Sequence, residues 1–300
     1  MIRRLVLIAV AAPVLVGAGA AASQWQSAAR LPVARSEVAS AVLGGELVVV
    51  GGFLADGSSS ARVEAYSPAR DRWRRLPDLP VAVNHPMAAV VRGRLYVVGG
   101  YGAVQSAFVL RSGGWRTLPR LPQPRAAGGA AGLRGRLYVA GGVAANGLAT
   151  RMLVFDPARR RWTDAPGPIP REHVGVTAVG GRLYVVGGRK AGVNFDFFQT
   201  YAPGQRRWTR LPPVPEARGG TAAAASAKFV VSAGGEAPAG TVRSVYAFDL
   251  RTRRWRRLPD LPTPRHGLAL QVLRGRVYAA AGGPEPGLHV SDVNEFLTLP

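Results

Sequence analysis

Arg134-Gly-Arg-Leu-Tyr-Val-Ala-Gly-Gly142, followed by Phe155-Asp-Pro-Ala-Arg-Arg-Arg-Trp162, is one copy of a unit that recurs along the chain. The glycine pair returns at Gly51-Gly52, Gly99-Gly100, Gly187-Gly188, Gly234-Gly235 and Gly282-Gly283. The six tryptophans keep step at Trp25, Trp73, Trp115, Trp162, Trp208 and Trp255, with spacings of 48, 42, 47, 46 and 47 residues. An aromatic residue stands before five of them, at Tyr66, Phe108, Phe155, Tyr201 and Phe248, and Leu-Pro follows most, as in Trp73-Arg-Arg-Leu-Pro. A fixed period of this length marks an array of supersecondary units, each burying its core only against its neighbours. Residues 23–300 therefore read as one domain.

Working outward, each glycine pair ends a short run of β-branched and aromatic residues, such as Glu46-Leu-Val-Val-Val50 or Arg94-Leu-Tyr-Val-Val98. These runs read as strands. A run of small residues precedes each one across a tight turn, as in Met87-Ala-Ala-Val-Val91 before Arg92-Gly93. The aromatic and the tryptophan mark a third and a fourth strand. No stretch has a helical period. Each unit is then a four-stranded antiparallel sheet, strands a to d, and radial repetition of such sheets makes a β-propeller. Small residues suit strand a at the crowded axis. The glycine pair is expected to let a neighbouring blade's aromatic approach the backbone, and tryptophan to pack between sheets. Trp25 precedes any glycine pair, while Asp292-Val-Asn-Glu-Phe296 ends the chain as a third strand. Gln24-Trp25-Gln26 is thus expected to pair with the last strand and complete the final blade. The fold class is all-β, six blades, closed by an N-terminal outer strand.

Composition bounds the rest. The chain has 300 residues, 47% hydrophobic, and no cysteine. This excludes a disulfide framework, a cysteine-ligated metal, a thiol nucleophile and a lipoprotein anchor. The formal net charge is +22, and Lys190 and Lys228 are the only lysines among 39 basic residues. A GC-rich genome accounts for much of that bias; attraction to anionic partners is the functional alternative. Residues 1–22 read as an export signal: Arg3-Arg4, the apolar run Leu5 to Val16, then small residues at Ala18-Gly-Ala20 or Ala20-Ala-Ala22. A periplasmic or extracellular protein is expected, by the general or the twin-arginine route. An uncleaved anchor is the alternative.

Gly-Gly, aromatic, Trp and Leu-Pro at this period resemble Kelch repeats over residues 23–300, with Phe108-Val-Leu-Arg-Ser-Gly-Gly-Trp115 the weakest copy. Among secreted bacterial six-bladed members, the chain resembles the N-acetylneuraminate epimerase (mutarotase) group. The wider family includes galactose oxidase and many protein-interaction domains, so fold does not decide function. The cysteine-crosslinked tyrosine on copper of galactose oxidase is excluded here. No cofactor is expected.

In a propeller the d-to-a and b-to-c connections share one face. There the start of strand a repeats an arginine, at Arg35, Arg125, Arg171, Arg218 and Arg265, with Val83 in blade two. The four histidines, His85, His173, His266 and His289, map to the same face, with Glu37, Glu172, Glu236 and Glu285. The resemblance implies a ligand side here, and Arg35, His85, Arg125, Arg171, Arg218, Arg265 and His266 are the expected ligand-binding residues. Converging guanidinium groups would want an anion among them: an acidic sugar, glycan or protein segment. The local alternative is that each arginine pairs within its own blade. No metal site is expected, because the histidines are spread over blades without a local ligand motif. If the chain is a mutarotase, Glu172 and His173 form the acid/base pair, and Arg171, Arg125 and Arg218 clamp the substrate carboxylate.

The opposite face carries arginine-rich turns, such as Arg251-Thr-Arg-Arg-Trp-Arg-Arg257. They read as solvated turns, or as a dock for an anionic envelope surface. Nucleic acid is not an expected partner, and the chain is expected to be monomeric. The leading function is a binding propeller with an arginine-lined axial mouth; the alternative is a sialic-acid-type mutarotase or epimerase.

Overall fold

Alternating β-branched and small residues between glycine turns leave each repeat little choice but a meander. In a computed structural model, which describes residues 24–300, every repeat forms one. The expected export signal lies outside the described residues. The first sheet runs Ala39–Leu43, Glu46–Val50, Val63–Ser67 and Arg72–Arg75, in the order a-b-c-d. Five sheets are built this way, and a sixth is built from both ends of the chain. In that sixth sheet Ala269–Leu273, Arg276–Ala280 and Asn294–Thr298 are followed outward by Gln26–Ser27. The register pairs Gln26 with Phe296 and Ser27 with Glu295. The expected closure is therefore present, shifted along the chain on both sides: Gln26–Ser27 pairs rather than Gln24 to Gln26, and the last strand is Asn294–Thr298 rather than Asp292 to Phe296.

The apolar core is not one mass. It divides into six clusters among the described residues, each lying between two adjacent sheets; Leu47, Val49, Tyr66, Tyr278 and Ala280, for example, seal the last blade against the first. Each tryptophan packs at such a seam, and its indole nitrogen donates to the preceding blade. Trp115 donates to Pro77 O (2.8 Å), Trp162 to Pro119 O (2.9 Å) and Trp255 to Pro212 O (2.9 Å). The Leu-Pro signal thus supplies the acceptor for the next blade's tryptophan. Trp25 donates to Pro259 O and Trp73 to Ala29 O, which carries the pattern across the junction of the termini.

The glycine pairs do something other than admit an aromatic. The second glycine's N–H donates to the neighbouring blade: Gly100 N to Arg125 O, Gly142 N to Arg171 O, Gly188 N to Arg218 O and Gly235 N to Arg265 O. What approaches the first glycine is that same backbone carbonyl. A Cβ on Gly99 would stand 2.2 Å from Arg125 O, and the residue has a φ of 59°. Both facts demand glycine. In the last blade the operative pair is shifted by one. Gly282 N donates to Arg35 O, so Ala281, at a φ of 58°, fills the first position.

Candidate functional site

The axial mouth is made by a turn that the repeat uses six times. Two residues past the arginine position stand Glu37, His85, Ala127, His173, Gly220 and Gly267, with φ between 50° and 66°. These left-handed residues place their peptide groups around the axis. His85 N donates to Glu37 O (2.9 Å), Ala127 N to His85 O (3.2 Å), His173 N to Ala127 O (2.7 Å), Gly220 N to His173 O (3.0 Å) and Gly267 N to Gly220 O (2.9 Å). Val38 N to Gly267 O (3.2 Å) closes the circle. One hydrogen bond per blade thus holds the mouth.

Inside this ring lies a cavity of about 300 Å³. Its walls are strand a residues such as Ala41, Ala89, Ala131 and Thr177, and Glu37, His85 and His173 also line it. The three side chains converge. His85 Nε2 is 3.0 Å from His173 Nε2 and 3.1 Å from Glu37 Oε2. Each is held from behind. His85 Nδ1 meets Asn84 Oδ1 at 2.7 Å, while the Asn84 amide nitrogen donates to Ser59 Oγ (2.8 Å). His173 Nδ1 donates to Glu172 Oε2 at 3.0 Å. Glu37 Oε1 accepts from His266 Nδ1 at 2.9 Å. Arg189 bridges Glu236 (2.5 Å) and Glu172 (3.2 Å) and also reaches His173 Nε2 (3.2 Å).

The environment sets the charges. Burial pushes the His85 imidazole down to about 4, against the attraction of Glu37. Burial also works to lower His266, but its bond to Glu37 outweighs that and holds it above the ordinary histidine value. Its Nε2 faces the Glu285 carbonyl at 3.0 Å, so both ring nitrogens face acceptors, which favours the protonated ring. Burial opposes ionisation of Glu37 and Glu172, yet their neighbours keep both below the usual carboxylate range: chiefly His85 and His266 for Glu37, and His173 and Arg189 for Glu172.

The five arginines do not line this mouth. Arg35, Arg125, Arg171, Arg218 and Arg265 are completely buried. Each reaches sixteen residues along its own blade to the carbonyl that opens the glycine pair: Gly51, Gly141, Gly187, Gly234 and Ala281. Arg35 and Arg265 also pair with buried Glu64 and Glu295. Burial pushes all five guanidinium groups down to about 10, still charged at neutral pH. The arginine-lined mouth is thus corrected to an arginine-pinned one. The guanidinium groups are drawn inward to carbonyls sixteen residues along, and the left-handed residue two positions later breaks the extended run and turns its own side chain toward the axis.

The same left-handed turn sorts the other expected residues. His85 and His173 reach the cavity. His266, one residue past its arginine, is buried beneath Glu37, and Glu172 stands beside His173. His289 and Glu285 stay apart on an exposed loop, 3.9 Å from each other. Asn84 and Arg189 are parts of the cluster that sequence reasoning passed over; Arg189 directly follows the Gly187-Gly188 pair, which is the only signal for it. On the opposite face, arginines pair locally, as Arg74 does with Glu46 (2.5 Å) and Arg257 with Asp260 (2.8 Å). Others lie over phenylalanine rings, Arg256 over Phe229 at 4.2 Å and Arg276 over Phe296 at 4.7 Å.

Comparison with known proteins finds the Kelch motif family in two stretches, residues 34–80 and 170–215. These are the first blade with its approach and the fourth. No curated protein matches the chain.

Proposed function

The chain is a Kelch-repeat six-bladed propeller, a scaffold for binding proteins or ligands, and on that premise we propose that it is exported and binds a small hydroxyl-rich ligand, of sugar size, in the axial mouth. The cavity carries this reading. A space of about 300 Å³ suits a small organic ligand, and its mainly polar lining, with Glu37, His85, His173, Thr177 and Gln271, suits a hydroxyl-rich one. The acidic ligand expected from the sequence loses its support, since the guanidinium groups meant to receive it are buried. The lining instead offers the Glu37 carboxylate, which favours donors such as hydroxyl or amino groups; Glu172 and Glu236 stand behind it, paired with Arg189.

Titration calorimetry with a panel of neutral, amino and acidic sugars tests this. Neutral or amino sugars should bind, with chemical-shift changes confined to the mouth, and Thr177→Trp, which fills the cavity, should abolish binding. Binding of acidic sugars alone, or no binding by any of the panel, would overturn it.

One observation favours a second reading, a sugar mutarotase. Glu172 and His173 are hydrogen-bonded to each other at the rim, and mutarotation needs one group to protonate the ring oxygen and another to take the anomeric proton. No carboxylate clamp by Arg125, Arg171 and Arg218 accompanies it. Anomer exchange followed by NMR on sugars that bind should then be accelerated, and an unchanged rate would end this reading.

A further inference from the structure

We propose that Glu37 Oε2, His85 Nε2 and His173 Nε2 form a binding site for a divalent first-row transition-metal ion at the centre of the mouth. One ligand atom from each of the three residues lies within 4.8 Å of the others, and His85 Nε2 stands 3.0 Å from His173 Nε2 and 3.1 Å from Glu37 Oε2. Nitrogen and oxygen ligands about 2.1 Å from an ion and 90–109° apart stand about 3.0–3.4 Å from each other. Two imidazoles and one carboxylate on one side of an ion, with the remaining positions open, is a donor set suited to such metals. Here the open positions face the cavity.

The hydrogen bonds fix what each atom offers. His173 Nδ1 faces a carboxylate that can only accept, so it carries the proton. Asn84 commits its amide nitrogen to Ser59, so its oxygen accepts from His85 Nδ1. With both rings neutral, the two Nε2 atoms turn lone pairs toward each other and toward a carboxylate oxygen, an arrangement that calls for positive charge. The Arg189 guanidinium answers it at His173 Nε2 alone (3.2 Å). A proton lies on one line between two atoms, whereas a metal ion engages all three. Outer partners that fix the tautomer and orientation of metal-binding histidines are the usual companions of such sites. All three ligands have one here: Asn84, Glu172 and His266.

The backbone adds an independent observation. Glu37, His85 and His173 sit at φ of 50–52°, where side chains are strained, while Ala127 (φ 53°), Gly220 and Gly267 hold equivalent positions of the same ring. Glycine would serve the turn better at all three. Arg189 also touches His173 Nε2. Its charge is taken up by Glu172 and Glu236, and an ion would displace only that one contact. The histidines come from two blades 88 residues apart in sequence, which is why no ligand motif announces them.

The inference does not depend on the sugar reading, because metal binding is measured without any sugar. It does exclude His173 Nε2 as a proton carrier while the ion is bound. Tag-free protein is stripped with a chelator and titrated with Zn²⁺ by calorimetry, with elemental analysis of the dialysed product. One ion per chain is expected. His85→Gln and His173→Gln should each weaken binding at least tenfold, Asn84→Ala by about tenfold or more, and His289→Gln not at all. Circular dichroism and metal-free melting temperatures show whether each variant is folded. Nitrogen-15 spectra of the wild-type histidines give a readout that needs no variant: Zn²⁺ should shift Nε2 of His85 and His173 together and leave His289 in place. Failure to bind Zn²⁺, retention of full affinity in folded His85→Gln or His173→Gln, or a proton still shared between the two Nε2 atoms at saturating Zn²⁺ would overturn the proposal.

Discussion

A buried arginine is costly, and five of them at one repeat position call for an account residue by residue. Each guanidinium satisfies carbonyls at the edge of its own blade, so the same side chain pins strand a to the glycine pair. They are not equal. Arg265 faces the buried carboxylate of Glu295, and Arg125 faces carbonyls alone, those of Gly141 (3.1 Å) and Arg151 (3.2 Å). Removing one member of a buried ion pair strands the other. Arg265→Met is therefore expected to cost about 3–5 kcal/mol, and Arg125→Met distinctly less, because it leaves no uncompensated charge. Urea unfolding of the two variants measures the difference; equal losses would mean that the carboxylates do not decide it.

At the scale of the element, the short outer strand Gln26–Ser27 makes only two ladder pairs, and its neighbours hold it. Ala29 N donates to Asp71 Oδ1 (2.8 Å), Arg30 pairs with Asp292 (2.5 Å), and Leu31 is buried at the seam. The Ala29 amide and then the Tyr66 hydroxyl hold the Asp71 carboxyl below its ordinary value. A depressed carboxylate contributes stability that is complete above its unfolded value, about 3.9, and is lost as the pH falls through the lower folded value. Hydrogen-exchange protection of the Ala29 amide should thus drop between about pH 5 and about pH 2. In Asp71→Asn, with no carboxyl to titrate, protection should be flat across that range. The same drop in the variant would assign it to another group.

For the whole molecule, closure is the main device. Each sheet buries its two faces against neighbours, so an open ring would leave two apolar faces wet and two blades with one neighbour each. Deleting residues 24–31 removes the fourth strand of the last sheet, the Trp25 bond to Pro259 and the Ala29 acceptor of Trp73. The melting temperature of that variant is expected to fall much further than that of one whose surface hairpin Val143–Leu148 is replaced by two glycines. Similar falls in differential scanning calorimetry would show that the junction carries no special weight. The ring also explains the site: only a closed circle of left-handed turns sets Glu37, His85 and His173 around one axis.

Strand periodicity, glycine pairs, tryptophans and the split last blade were all legible in the chain, because they are local patterns repeated six times. They determined the propeller, its blade number and its mode of closure. The arginine position was legible as well, but its direction was not. Whether an arginine at a blade's start turns inward to carbonyls or outward to a ligand depends on the left-handed turn that follows it and on what lies sixteen residues along. The shift of the last glycine pair to Ala281-Gly282 was hidden for a similar reason, since only the hydrogen bond from Gly282 to Arg35 across the junction defines it. The sequence by itself determined the architecture, through short-range pattern. Only the tertiary structure decided which side chains meet at the axis, because Glu37, His85 and His173 come from separate blades and are made neighbours by the ring alone.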